Sequence, residues 1–104
     1  MIDLHSHILP GLDDGAQDIY DTLEMVQLAA RSGITAMVAT PHCNIPGRYE
    51  NYFDDRYVKT IEQVRAAVHA EHLPVQILPG VEAFATPDLP ELIGQGKIMP
   101  CYTI

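Results

Sequence analysis

A chain of 104 residues, 47% of them hydrophobic and none of them Trp, is the size of one small domain with material for a modest core, which excludes intrinsic disorder. A formal net charge of −8 without any run of Lys and Arg argues against nucleic acid or an anionic membrane as partner, although metal-bound carboxylates would offset part of that acidity. Cys43 and Cys101 suggest neither a disulfide framework nor a Cys-rich zinc site, and the start Met1-Ile2-Asp3-Leu4-His5 has no basic stretch leading an apolar run, so free thiols in a soluble, cytoplasmic chain without membrane insertion are expected.

In chain order, Ile2 to Ile8 alternates enough to be a short strand, ending at Pro10-Gly11 and the polar turn Asp13-Asp14-Gly15. From Asp18, an N-cap, the apolar residues Leu23, Met25, Val26, Leu28, Ala29 and Ala30 recur at helical spacing up to Gly33, which suits a C-terminal cap. Ile34 to Thr40 is a continuous apolar run with β-branched residues, the pattern of a strand buried on both faces in a parallel sheet. Pro41 to Phe53 shows no period and is expected to be a long, functional loop. A second amphipathic helix runs from Asp54 through Val58, Ile61, Val64, Val68 and Leu73 to the stop at Pro74. Val75 to Leu78 is a third strand closed by Pro79-Gly80, and Thr86-Pro87 opens a short helix that ends at Gly94 and Gly96.

Strand and helix alternate, which calls for an α/β architecture with a parallel sheet. Met99 to Ile104 reads as a connection into a fourth strand, whose uncovered edge would seek a partner, so self-association is a further expectation. A closed barrel of eight such units takes about 250 residues, so three to four units are expected to be part of a larger fold, and residues 1–104 a truncated portion of one domain.

The chemistry lies in the strand ends. His5 and His7 are two apart on a strand, so both side chains reach the same face and can share a metal ion. In isolation they are as well explained as polar residues at a strand end. Asp14, in the Asp-Asp-Gly turn, offers hard carboxylate oxygen, but such turns are usually plain turn chemistry. His42, just past Thr40-Pro41, and Glu82, just past Pro79-Gly80-Val81, would each pass for surface residues alone. All of them fall at or beyond the carboxyl end of an expected parallel strand, the edge where ligands and catalytic groups gather in α/β folds. Mixed imidazole and carboxylate donors suit zinc, manganese, iron or magnesium, and multi-metal sites of this kind clamp phosphoryl oxygens while activating water. Arg48 can reach a substrate phosphate from the long loop, where a solvated charge is the plainer reading; Cys43 beside His42 is a weaker additional ligand. Ser6, on the opposite face of its strand, reads as packing rather than as a nucleophile.

The stretch Met1 to Ala16, together with Gly33-Ile34-Thr35, Ala39-Thr40-Pro41-His42, Gly47-Arg48-Tyr49-Glu50 and Leu78-Pro79-Gly80-Val81-Glu82, closely resembles the bacterial manganese-dependent protein-tyrosine phosphatases of the polymerase-and-histidinol-phosphatase (PHP) superfamily. These regulate capsule and exopolysaccharide synthesis. The resemblance implies a distorted, TIM-like (β/α)7 barrel and a three-metal site that hydrolyses phosphotyrosine on a bacterial tyrosine kinase. It further implies that His5 and His7 bind one metal, that Asp14 and His42 help hold another, and that Glu82 bridges a pair. The family's later ligands, a further Glu, a His, an Asp-x-His pair and a substrate-binding Arg, have no counterpart here, so weak metal binding and little turnover are expected of this piece alone. Two alternatives stay open: a histidinol-phosphate-type or other small phosphomonoester phosphatase, and a non-catalytic interaction module.

Overall fold

The computed structural model describes residues 1–84 and 86–97. The elements are β1 (Ile2–Ser6), α1 (Ile19–Arg31), β2 (Ala36–Ala39), β3 (His42–Cys43), α2 (Asp55–Ala70), β4 (Gln76–Pro79), β5 (Glu82–Ala83) and α3 (Leu89–Gly94). The expected fourth strand, with Cys101, lies outside the described residues.

Three strands form a parallel sheet in the order β1-β2-β4, with Met37 of β2 opposite Ile77 of β4. Beyond their carboxyl ends the chain pairs once more, β3 with β5, again parallel, with His42 opposite Glu82 and Cys43 opposite Ala83. These two-residue strands lie in stretches that the sequence presents as irregular. Pro41 and Gly80 interrupt the ladders, and the pairing resumes with Glu82 N–H donating to Pro41 O at 3.0 Å and Phe84 N–H to Cys43 O at 3.0 Å. The long loop is likewise shorter than expected, because a tight reversal closes between Ile45 and Tyr49 with Gly47 at φ 79°.

Both long helices start and stop as their ends dictate. Asp18 and Asp54 cap α1 and α2 by accepting from Asp21 N–H and Tyr57 N–H, each worth about 1 kcal/mol. All three helices end in the same two-bond closure. Gly33, His72 and Gly96 take positive φ, and the residue after each returns its N–H to a carbonyl five positions back: Ile34 to Ala29, Leu73 to Val68 and Lys97 to Leu92. This closure ends α2 at Ala70, earlier than the apolar pattern implies, since Leu73 reaches the core from beyond the helix. The third helix also starts later than expected. Asp88, not Thr86, precedes it, and Pro90, which lacks an N–H to leave unsatisfied, sits in its first turn.

The core is made by Met37, Ala39 and Ile77 of the sheet against Val26 and Ala29 of α1 and Tyr57, Ile61, Val64 and Val68 of α2. As expected for a central strand, β2 is buried or nearly so along its length. Val58, grouped with the buried face by the sequence pattern, is 41% exposed, and its neighbour Tyr57 fills that place in the core. Ile61, at 3% exposure, should therefore be the costlier truncation: Ile61→Ala is expected to destabilise by about 2–5 kcal/mol and Val58→Ala by about 0.5 kcal/mol or less, read from urea denaturation.

Candidate metal centre

His5, His7, His42 and Glu82 converge at the carboxyl end of the sheet. One residue of β1 is extra there: Asp3 pairs with Met37, but Ser6 pairs with Ala39. Side chains take over the interrupted ladder. Ser6 N–H donates to Thr40 Oγ1 at 3.0 Å, the Thr40 hydroxyl donates to Ser6 O at 3.1 Å, and Ser6 Oγ donates to Val38 O at 2.7 Å. Ser6 is thus a packing residue, as its position on the strand suggests. His5 and His7, two apart, share the opposite face, with their Nε2 atoms 3.1 Å from each other.

Glu82 is brought to these rings by the β3–β5 register, which sets it beside His42 on one face and sends Cys43 and Ala83 to the other, into the core. Glu82 Oε2 lies 2.9 Å from His7 Nε2, 3.3 Å from His42 Nδ1 and 3.4 Å from His5 Nε2. Yet this buried oxygen accepts no hydrogen bond from any described residue. Leaving even a neutral buried acceptor unpaired costs about 1–3 kcal/mol, and more for a charged one. Imidazole nitrogens and a carboxylate oxygen converging on one point suit the ligands of a cation. The residues present therefore fit a divalent ion.

Among the described residues, donor atoms lie within 4.8 Å of one another in two sets, one of His5, His7 and Glu82 and the other of His7, Asp13, Asp14 and His42. His5, His7, Asp14, His42 and Glu82 each belong to at least one of them. Asp14, 65% exposed at its side chain, places Oδ1 3.4 Å from His42 Nε2. Asp13 was passed over in the sequence as turn chemistry, yet its side chain is fully buried and faces His7 Nδ1 at 2.7 Å. The signal that could have found it is the glycine after Asp14: a Cβ at Gly15 would stand 2.3 Å from His7 O and 2.4 Å from His7 Cβ, so this turn lies tightly against His7.

Side chains from the surrounding loops hold the cluster in place. Asn51 donates to Leu12 O at 2.6 Å and His42 O at 2.8 Å, joining the first loop to β3. The Tyr57 hydroxyl donates to Gly80 O at 2.6 Å and accepts from Gly80 N–H at 2.8 Å, tying α2 to the turn that precedes Glu82. Asn44, itself at φ 60°, donates to Phe84 O and Thr86 Oγ1 from behind β5. On the open side Tyr49 stacks on His42 with centroids 5.2 Å apart and planes at 17°, and the Arg48 guanidinium lies 5.1 Å from the Tyr49 ring centre. Arg48 is thus near the cluster and exposed.

The capsular polysaccharide synthesis family CpsB/CapC matches residues 1–102. The chain is 43% identical over 83 residues to the tyrosine-protein phosphatase YwqE of Bacillus subtilis, covering 79% of this chain and 32% of that protein. It is 35% identical over 92 residues to the tyrosine-protein phosphatase CpsB of Streptococcus agalactiae, covering 88% and 37%. It is 30% identical over 98 residues to the putative tyrosine-protein phosphatase CapC of Staphylococcus aureus, covering 94% and 38%. A solved structure from a study of YwqE from Bacillus subtilis and CpsB from Streptococcus pneumoniae, described as metal-dependent tyrosine phosphatases, matches with TM-score 0.86 at 36% identity, covering 94% of this chain and 39% of that one. The chain thus shares the parallel α/β fold of that structure and spans about a third of the length of the curated relatives it matches. Among the described residues, no helix is long and apolar enough to cross a membrane.

Cys43, next to His42, belongs to neither donor set and is fully buried. Burial pushes its thiol up from 9.0 to about 11, with the Asp54 charge adding and a hydrogen bond from Asn44 N–H opposing. The neutral thiol is the form the fold favours, so stability holds below pH 9.0 and declines as the pH rises towards about 11. In a Cys101→Ser background, the thiolate fraction at pH 8 should be about a hundredfold lower than in the unfolded chain, and iodoacetamide alkylation should be slower by that factor or more. Equal rates in buffer and in urea would contradict it.

Proposed function

Because the chain belongs to the capsular polysaccharide synthesis CpsB/CapC family, we propose that it supplies part of the metal centre of a protein-tyrosine phosphatase. The observation that carries this reading is Glu82 Oε2, a buried carboxylate oxygen within 3.4 Å of three imidazole nitrogens that takes no hydrogen bond from them. The assigned ligands are His5, His7, Asp14, His42 and Glu82: His5 and His7 would hold one ion, Asp14 and His42 would help hold another, and Glu82 would serve both. Manganese is the assigned metal; zinc, iron and magnesium are the other candidates for such donors. A bound divalent ion supplies Lewis acidity to a phosphoryl oxygen and acidifies water.

The protein's own groups do the rest. Glu82 Oε2, which accepts no hydrogen bond among the described residues, keeps its lone pairs available to a cation. Tyr49, stacked on His42, holds that ring's plane and walls one side of the site. Arg48, over Tyr49, is the assigned phosphate-binding group, because a guanidinium donates to two phosphate oxygens at once.

In this reading β1, β2 and β4 are parallel strands of a distorted, barrel-like PHP domain, and residues 1–104 are its amino-terminal portion. Exposed Ile2, Leu4 and Phe84 support it, as apolar surface that further elements of such a barrel would cover. So does the donor count, since five protein ligands do not fill three ions that each take four to six. The substrate is phosphotyrosine on a protein, assigned as the bacterial tyrosine kinase that controls polysaccharide export, and the chain is assigned to the cytoplasm. The relatives named as tyrosine-protein phosphatases support this assignment.

The test is a chimaera in which this chain replaces the matching third of the Bacillus subtilis relative, assayed on a phosphotyrosine peptide with added manganese. The expected result is hydrolysis, lost by at least about a hundredfold with His7→Ala or His42→Ala. A folded chimaera that binds no metal and leaves the peptide intact refutes the assignment. Hydrolysis of small phosphate esters alone would move it to the phosphomonoester alternative.

A further inference from the structure

Asp13 stands beside the assigned ligands and has no role in the reading above. Its side chain is fully buried, and both its oxygens are engaged. Oδ2 faces His7 Nδ1 at 2.7 Å and accepts the His42 backbone N–H at 3.0 Å, while Oδ1 accepts the Gly15 N–H at 2.9 Å. Distance alone would admit Asp13 as a ligand, since it lies within 4.8 Å of donor atoms from His7, Asp14 and His42. Its bonding argues otherwise: a carboxylate facing three donors has little lone-pair capacity left for an ion.

The geometry points to Asp13 as a positioning residue that holds His7 in the Nδ1-protonated tautomer and so presents an unprotonated Nε2 to the ion shared with His5 and Glu82. The steps are short. Two carboxylates lie near the ring, but only Asp13 meets it in hydrogen-bond geometry, since Glu82 Oε2 accepts no hydrogen bond among the described residues. An ionised carboxylate oxygen only accepts, so Nδ1 donates, and a neutral imidazole has one N–H to give. The lone pair is then on Nε2, the atom that lies 2.9 Å from Glu82 Oε2 and 3.1 Å from His5 Nε2. A carboxylate behind a metal-binding imidazole fixes its orientation and raises its basicity. Here the same oxygen also accepts the main-chain N–H of His42, so one carboxylate sets the relative placement of the two histidines that share a donor set.

The local sequence makes this possible. Ala16 N–H donates to His7 O at 3.0 Å and folds the turn back onto its own strand, leaving no room for a side chain at position 15. Gly15 is therefore part of the device, because a Cβ there would push Asp13 and His7 apart.

The proposal rests on the metal-centre reading, and its primary readout needs no metal. Long-range 1H–15N NMR of the metal-free 104-residue chain at about pH 8, where an ordinary imidazole is neutral, shows which nitrogen of His7 carries the proton. The expected result is Nδ1–H in the wild type and loss of that preference in Asp13→Ala, which removes the acceptor. Manganese affinity, read by calorimetry, should fall about 10–100-fold in the variant with the number of bound ions unchanged. His7 found as Nε2–H in the wild type overturns the proposal, as does an unchanged tautomer in folded Asp13→Ala. Loss of a whole ion with the tautomer unchanged makes Asp13 a ligand and overturns it too. Should Asp13→Ala fail to fold, the wild-type spectrum decides alone. Failure of the metal-centre reading shows separately, as no divalent ion bound by the wild type, and removes the ligand-presenting role.

Discussion

Glu82 and His42 meet because two strands pair a second time after their ladders have been broken. Pro41 and Gly80 interrupt β2 and β4, and the parallel register then resumes for two residues with His42 opposite Glu82. In a parallel pair, opposite residues share a face and their neighbours take the other. One short ladder thus turns a histidine and a glutamate towards the open end, and Cys43 and Ala83 into the core. Without it, Glu82 would be an ordinary loop carboxylate.

Such a ladder is too short to hold itself, and the structure supports it with buried polar side chains, not more strand. Asn51 and Asp13 each bond main-chain groups of two separate segments, and Tyr57 and Thr40 each tie their own segment to the main chain of another. A net contribution of about 0.5–1.5 kcal/mol per hydrogen bond is modest, but losing one partner strands the other in a buried place at about 1–3 kcal/mol. The network is therefore rigid where it is satisfied. The one buried side-chain oxygen that it leaves unsatisfied among the described residues is Glu82 Oε2, the group best placed to take a cation.

The helices, the central strand and the parallel α/β class were legible because each rests on a periodic or local signal: caps at Asp18 and Asp54, the positive-φ residue Gly33, and the unbroken apolar run of β2. The convergence of His5, His7, Asp14, His42 and Glu82 was legible through their place at strand ends and through family resemblance. Other features rest on signals that are not local. The β3–β5 ladder is hidden by the Pro and Gly that flank it, and a pairing across forty residues leaves no trace in either segment alone. Val58 and Tyr57 exchanged roles because a hydrophobicity pattern does not know that a phenol can be buried when its hydroxyl finds Gly80. Asp13 and Asp14 look alike in sequence, and only the fold of the turn buries one and exposes the other.

In the proposed site Glu82 is poised for a cation at the expense of the metal-free fold. Thermal unfolding of the wild type and Glu82→Gln, each with and without manganese, measures that expense. Without metal, Glu82→Gln should melt higher, by about 4–8 °C for each kcal/mol of relieved charge burial. Its gain on adding manganese should be smaller than the wild type's, because the ion has lost a ligand. A variant that melts lower without metal, and gains as much from manganese as the wild type, would contradict the account.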